Sequence, residues 1–98
     1  MQNLPEKTGV GAEILEQIVS ALKEFGATKA VLYGSRARGD FKDPSDIDIA
    51  YWGDADEAKI WIAFENLPTI HKVDFVKFDT LSNEDLKQNI LRDAVVLL

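Results

Sequence analysis

Five residues of this chain have the types and spacing that chemistry on a phosphate requires: Gly34, Ser35, Asp46, Asp48 and Asp74. Asp46 and Asp48 stand two apart in Asp46–Trp52 (DIDIAYW), whose strict alternation is strand behaviour. Positions i and i+2 of a strand share a face. At about 3.3 Å of rise per residue their Cα atoms lie about 6.6 Å apart. Two carboxylates on one side repel unless positive charge sits between them. A hard divalent cation suits that gap, and Mg²⁺ shared with substrate phosphates is the usual biological answer. By itself the D-x-D pattern equally describes a half-exposed strand with two solvated aspartates. Gly34 and Ser35 follow directly on the short β-type run Lys29–Tyr33. Glycine lets a phosphate approach the backbone, free N–H groups at the start of a helical turn attract anions, and the serine hydroxyl adds a donor. A Gly-Ser after a strand is alone an ordinary turn. A phosphate cradle ending one strand, with a carboxylate pair on the next, is far less often accidental. Asp74 stands near the start of the strand run Val73–Phe78, among the apolar residues Val73, Phe75, Val76 and Phe78. A charge there is costly unless paired or metal-bound. Beside the D-x-D strand it completes a triad, either as a metal ligand or as the base that takes a proton from an acceptor hydroxyl. On an exposed edge it does neither.

The elements that must position these residues alternate along the chain. A first helix is expected over 12–25, with Ile14, Leu15, Ile18, Val19, Leu22 and Phe25 on one stripe and Gly26 as its stop. The strand Lys29–Tyr33 follows, and then a polar stretch, 36–45, read as a short turn of helix and a loop. Pro44 rigidifies that loop, and Ser45 is placed to bond the backbone before Asp46. The alternation of Asp46–Trp52 assigns Ile47, Ile49 and Tyr51 to the core side. A helix over 56–67 carries Ile60, Trp61, Phe64 and Leu67 on its inner stripe and ends at Pro68. After the third strand, Ser82 with Asp85 reads as a capping box and Leu81 with Leu86 as its staple. The helix over about 83–92 then turns Leu86, Ile90 and Leu91 inward. The tail AVVLL is either an edge strand or packing under the sheet. The order predicts an α/β (α+β) domain with helices on a small mixed sheet of three to four strands. It spans residues 1–98 as a single domain, with 1–11 as a loose lead-in.

The composition narrows the class. Ninety-eight residues with 46% apolar types suffice for one thin core. The absence of cysteine excludes disulfides, thiolate catalysis and cysteine zinc sites. A net charge of −6 argues against non-specific duplex binding, which depends on phosphate neutralisation by Lys and Arg. No run approaches a membrane span and the N-terminus lacks a secretory apolar core, so a cytoplasmic protein is expected. His71, the sole histidine, reads as a surface residue. Trp61 reads as core, Tyr33 as sheet packing, and Trp52 as either a cover for the sheet end or a flank of the pocket. Asp54, Asp56 and Glu57 suit a helix N-terminus.

Gly34-Ser35, ten residues, Asp46-x-Asp48, and then Asp74 on a later strand resemble the nucleotidyltransferase superfamily of the polymerase-β type. The form VLYGSRARGDFKDPSDIDIA is most similar to its minimal nucleotidyltransferase branch, over about residues 12–95. The resemblance implies a nucleotidyltransferase fold in which Gly34 and Ser35 hold the terminal phosphates of a nucleoside triphosphate. Asp46 and Asp48 would bind two Mg²⁺ ions, and Asp74 would complete the catalytic and metal-binding set. Arg36 is expected to add a phosphate ligand, because arginine pairs with phosphate oxygens in a bidentate way. Arg38 is a second such candidate, and the alternative for both Arg36 and Arg38 is a solvated loop side chain. The implied reaction is transfer of AMP from ATP to a hydroxyl, with pyrophosphate leaving.

The chain carries no second nucleic-acid-gripping or drug-binding half, so the acceptor is expected from another chain or a second copy. In the family, transferases of this size are typically encoded beside a small helical HEPN protein. Such a pair can form a toxin–antitoxin system, in which a tyrosine of the HEPN toxin is adenylylated and the toxin silenced. That is the leading expectation. Its alternatives are a small-molecule or antibiotic nucleotidyltransferase working as a homo-oligomer, and a non-catalytic module that binds nucleotide or blocks a partner by contact.

Overall fold

The computed structural model describes residues 7–42 and 45–98, so residues 1–6 of the expected lead-in and the expectation for Pro44 lie outside the described residues. Among those described, the elements are α1 (Ala12–Glu24), β1 (Lys29–Tyr33), α2 (Gly34–Arg38), β2 (Ile47–Trp52), α3 (Glu57–Glu65), β3 (Val73–Lys77), a 3₁₀ turn (Phe78–Thr80), α4 (Glu84–Asp93) and β4 (Val95–Val96). The sheet runs in the order β3-β2-β1-β4. β1 pairs antiparallel with β2 and with β4, while β2 and β3 are parallel. A parallel pair needs a crossover, and α3 supplies it between β2 and β3.

Strand alternation divides the molecule into two layers around the sheet. Ala30 and Leu32 of β1, Ile47, Ile49 and Tyr51 of β2, and Val73 and Phe75 of β3 meet Leu15, Ile18 and Leu22 of α1 and Ile60 and Phe64 of α3. Phe75 anchors this side, its ring edge-on to Phe64 at 5.4 Å between centroids. The opposite face carries a smaller cluster of Val31, Ala50 and Ile90, edged by Tyr33, Trp52, Val76 and Leu86. Helix α4 covers part of that second face, and the candidate carboxylates occupy the remainder. The tail answers both of its alternatives: Val95 and Val96 extend the edge of β1, while Leu97 turns into the main core.

Several expectations are corrected. Residues 8–10 are packed rather than loose: Thr8 is fully buried and Val10 belongs to the core. The cap of α4 is Asn83, whose side-chain oxygen accepts from the Leu86 N–H at 3.0 Å, and not Ser82. Leu81 and Leu86 nonetheless pack on the same cluster. Leu91 points outward, and Trp61 is 58% exposed, because α3 turns only Ile60 and Phe64 fully inward. Asp56 caps α3 by accepting from the Lys59 N–H, as its place at a helix N-terminus implied. Trp52 stacks on Phe78 at 4.6 Å and covers the sheet end, with Lys29 Nζ 4.7 Å from its ring.

Candidate functional site

The site is assembled by strand register. Tyr33, the last residue of β1, lies opposite Asp48 of β2, and Asp48 lies opposite Asp74 of β3. Three adjacent strands therefore contribute one residue each to a single row on the face that α4 leaves partly open. Asp46 precedes β2 by one residue and is exposed, while Asp48 is half-buried. The Ile47 N–H donates to the Lys72 carbonyl at 2.9 Å, which ties the D-x-D segment to the start of β3.

Gly34 follows Tyr33 directly and opens α2. Its φ of 78° is left-handed, and a Cβ there would lie 2.6 Å from Asp48 Oδ2. Glycine is required twice over, for the turn and for the approach of the carboxylate to the backbone. The chain reverses from β1 into α2 at this point, which sets Ser35 on the first turn of the helix. The Ser35 carbonyl accepts from the N–H groups of Gly39 and Asp40, closing α2 after five residues. Ser45 also acts as its hydroxyl chemistry suggests, its Oγ accepting from the Lys42 N–H at 3.0 Å in the approach to Asp46.

Electrostatics mark Asp48 as the strained member. Burial first, then the neighbouring charges of Asp74 and Asp46, push its carboxyl up from the usual 3.8 to about 6. Tyr33 responds to the same field: burial and the charges of Asp48 and Asp74 push its hydroxyl up to about 12, so it stays protonated. Asp74 has a cation within reach, Lys72 Nζ at 3.4 Å from Oδ1. Among the described residues no three His, Cys, Asp or Glu side chains converge into a ready cation cage. The donor set still fits a hard divalent ion. It is oxygen-only, and the repulsion that raises Asp48 is what a cation between the carboxylates would relieve.

Arg36 departs from the anion-facing place expected of it. It is 1% exposed, and its guanidinium donates from Nε to the Ser45 carbonyl at 3.0 Å and from Nη1 to the Thr8 carbonyl at 2.8 Å. The side chain turns inward because backbone carbonyls and the Phe41 ring, 4.6 Å from Cζ, supply the partners that a buried guanidinium needs. Arg38 is an ion-pair residue, with Nη1 2.7 Å from Asp93 Oδ2 and Nε 3.2 Å from Asp40 Oδ2. Asp93 also accepts from Arg92 Nε at 3.0 Å, and these arginines hold its carboxyl below the usual range. His71 is half-buried rather than a free surface residue, its Nδ1 3.3 Å from Arg36 Nη2.

Two features escaped the sequence reading. Tyr33 shares the carboxylate row, a placement that only the β1–β2 register reveals. A cleft of about 310 Å³ also lies against β3, walled by Trp61, Phe64, Ile70, His71, Asp74 and Phe75. Asp74 thus borders both the carboxylate row and an aromatic cleft. The unusual exposure of Trp61 and Ile70, 58% and 98%, belongs to the same region. No helix among the described residues is long and apolar enough to cross a membrane.

Comparison with known proteins adds the family. Residues 16–98 match the family described as polymerase beta, nucleotidyltransferase. Among solved structures, a crystal structure of a toxin-antitoxin with AMP-PNP aligns with a TM-score of 0.69 at 23% identity, covering 86% of this chain and 72% of that one. A putative nucleotidyltransferase from Sulfolobus solfataricus aligns with a TM-score of 0.49 at 21% identity, covering 97% and 82%. No curated protein matches. The first structural likeness establishes the fold, and the family match covers the glycine turn and every candidate carboxylate. The chain therefore belongs to the polymerase beta nucleotidyltransferase family.

Proposed function

We propose that this protein is a Mg²⁺-dependent nucleotidyltransferase that moves AMP from ATP to a hydroxyl of a partner protein, a tyrosine of a small helical HEPN toxin, and so acts as an antitoxin. The observation that carries the reading is the register that sets Asp48 beside Asp74, with the Gly34 backbone pressed against the Asp48 carboxylate. The toxin-antitoxin relative was crystallised with AMP-PNP, which agrees with ATP as the nucleotide and with a protein as the partner.

In this reading the reaction is an in-line displacement. The acceptor O–H gives its proton to the Asp74 carboxylate, its oxygen bonds to the α-phosphorus, and the bond from that phosphorus to the α,β-bridging oxygen breaks to release pyrophosphate. Gly34 and Ser35 hold the leaving pyrophosphate, the glycine by close backbone approach and the serine by its hydroxyl. Asp46, Asp48 and Asp74 would hold Mg²⁺, which would supply charge neutralisation at the phosphates and at the attacking and departing oxygens. Asp74 also borders the cleft, so the acceptor hydroxyl is presented from that side. With little covalent chemistry left to side chains, the rate depends on position and charge. The Tyr33 hydroxyl, held in its protonated form, gives the same face a hydrogen-bond donor.

The test is transfer of label from α-³²P-ATP with Mg²⁺ to the purified helical partner, followed by peptide mapping. A labelled tyrosine, lost in the Asp46→Asn/Asp48→Asn double variant, is the expected result. If the double variant neutralises the partner as well as wild type does, the protein acts by contact and the transferase reading fails. Label on a small-molecule acceptor, with none on the partner, would move the substrate class instead.

A further inference from the structure

Arg36 sits one residue after Ser35, yet among the described residues its guanidinium reaches three other segments. It donates to the carbonyl of Ser45, the residue before Asp46, and to the carbonyl of Thr8, which leads into α1. Its third reach, from Nη2, meets Nδ1 of His71, three residues ahead of Asp74. The N-terminal segment passes tightly over this group. At Gly9, φ 69°, a Cβ would lie 2.9 Å from Arg36 Nη1 and 2.5 Å from Phe41 Cζ. A planar guanidinium has five donors in fixed directions, so the segments it bonds are held at fixed angles to one another. Two of those segments lead into Asp46 and Asp74, and the helix that carries Arg36 also carries Ser35.

The His71 contact is the one that reaches the segment leading into β3, and as a hydrogen bond it calls for one tautomer. A guanidinium has no acceptor, so Nδ1 must supply the lone pair and the ring proton must reside on Nε2. The His71 N–H donates to Thr69 Oγ at 3.2 Å, which steadies the backbone behind the ring. The ring also borders the cleft together with Asp74. Glu65 from α3 and Lys72, the residue before β3, are the other charged groups lining that cleft, and Lys72 is paired with Asp74.

We propose that Arg36 and His71 are positioning residues of the nucleotide site, and that their Nη2–Nδ1 contact sets the placement of the Gly34–Ser35 turn relative to the strand that carries Asp74. The proposal rests on reading these residues as one site. It assigns Arg36 to no contact with phosphate and His71 to none with metal. It requires the neutral imidazole as the Nε2–H tautomer, because protonation would set two cations against each other.

His71 is the only histidine, so the full chain labelled with ¹⁵N gives a single imidazole pattern in a two-bond ¹H–¹⁵N spectrum. At pH 7.5 wild type is expected to show the Nε2–H tautomer, and Arg36→Lys, which keeps the charge but loses the fork, to show a tautomer average. An Nδ1–H ring or an averaged ring in wild type overturns the link, even if the Arg36 variant fails to fold. Calorimetry with ATP and Mg²⁺ then reads the consequence. Removing a partner that orients ligating groups costs roughly 10–100-fold in affinity, so His71→Ala is expected to bind about tenfold more weakly. His71→Asn returns an acceptor oxygen near the Nδ1 position and restores binding, whereas His71→Leu fills the space without an acceptor and stays weak. Equal rescue by Leu and Asn, or binding unchanged in all three, refutes the positioning role. Wild type that fails to bind ATP refutes the proposed function instead, and the imidazole spectrum still decides whether the link exists.

Discussion

Replacing Asp48 by Asn should make the metal-free protein more stable at neutral pH while destroying its nucleotide site. The carboxyl is pushed from 3.8 to about 6 by burial and by Asp74 and Asp46. At about 1.4 kcal/mol per tenfold change in the ionisation constant, a wholly buried group would cost about 3 kcal/mol when ionised. Asp48 is half-buried, and solvent screening reduces the expected share to about 1–1.5 kcal/mol. For a domain of this size, that raises Tm by about 5–10 °C. Because the folded-state value is raised, the native chain binds more protons than the unfolded chain between about pH 4 and 6. The wild type therefore loses this increment as pH rises through that window, and the deficit is complete above it. The advantage of Asp48→Asn should be greatest at pH 7 and vanish below about pH 4. Thermal melts followed by circular dichroism, at pH 3.5 to 7.5 in chelator, measure it. Added Mg²⁺ should raise the Tm of wild type and leave the variant unmoved. A variant that melts at or below wild type at pH 7, or a gap that ignores pH, would refute the account of Asp48 as a repelled, cation-seeking carboxylate.

Gly34→Ala must hold a side chain at φ 78° and 2.6 Å from Asp48 Oδ2. It should cost about 1–2 kcal/mol from the left-handed backbone and, by displacing the carboxylate, abolish Mg²⁺-dependent ATP binding; melts and calorimetry report the two losses separately. Asn83→Ala should cost about 1 kcal/mol by removing the cap on the Leu86 N–H, while Ser82→Ala stays near zero in the same urea titration. Asp93→Asn weakens the tie from α4 to Arg38 of α2 and to Arg92. The variant should unfold at lower urea than wild type in the same titration, and because these arginines hold the Asp93 carboxyl below its usual range, the gap should close only as pH falls below that range.

Much of the architecture was legible because it is local. The three-to-four stripe of α1 and the two-residue period of β2 follow from backbone geometry, and Ile47, Ile49 and Tyr51 are buried where that period places them. Gly34 and Gly39 carry positive φ at the two ends of α2, where a residue without a Cβ is needed. Errors arose where two local signals compete. Ser82 and Asn83 are both good caps, and tertiary packing of Leu86 and Ile90 decides which residue starts α4. Trp61 sits at helical spacing with Phe64, but a nine-residue helix over a narrow sheet has room to bury only part of its apolar set.

By itself, then, the sequence determined the alternation of elements, the core side of Ile47, Ile49 and Tyr51, and the glycine turn that ends β1. Each depends on dihedral preferences and periods within a few residues. Only the tertiary structure decided that Asp74 lies level with Asp48, that Tyr33 joins their row, and that a cleft opens on the far side of Asp74. The same holds for Arg36, whose neighbours in sequence suggest phosphate and whose neighbours in space are Thr8, Ser45 and His71. Register across a crossover and the direction of a long side chain are set by contacts between distant segments. No local period encodes them.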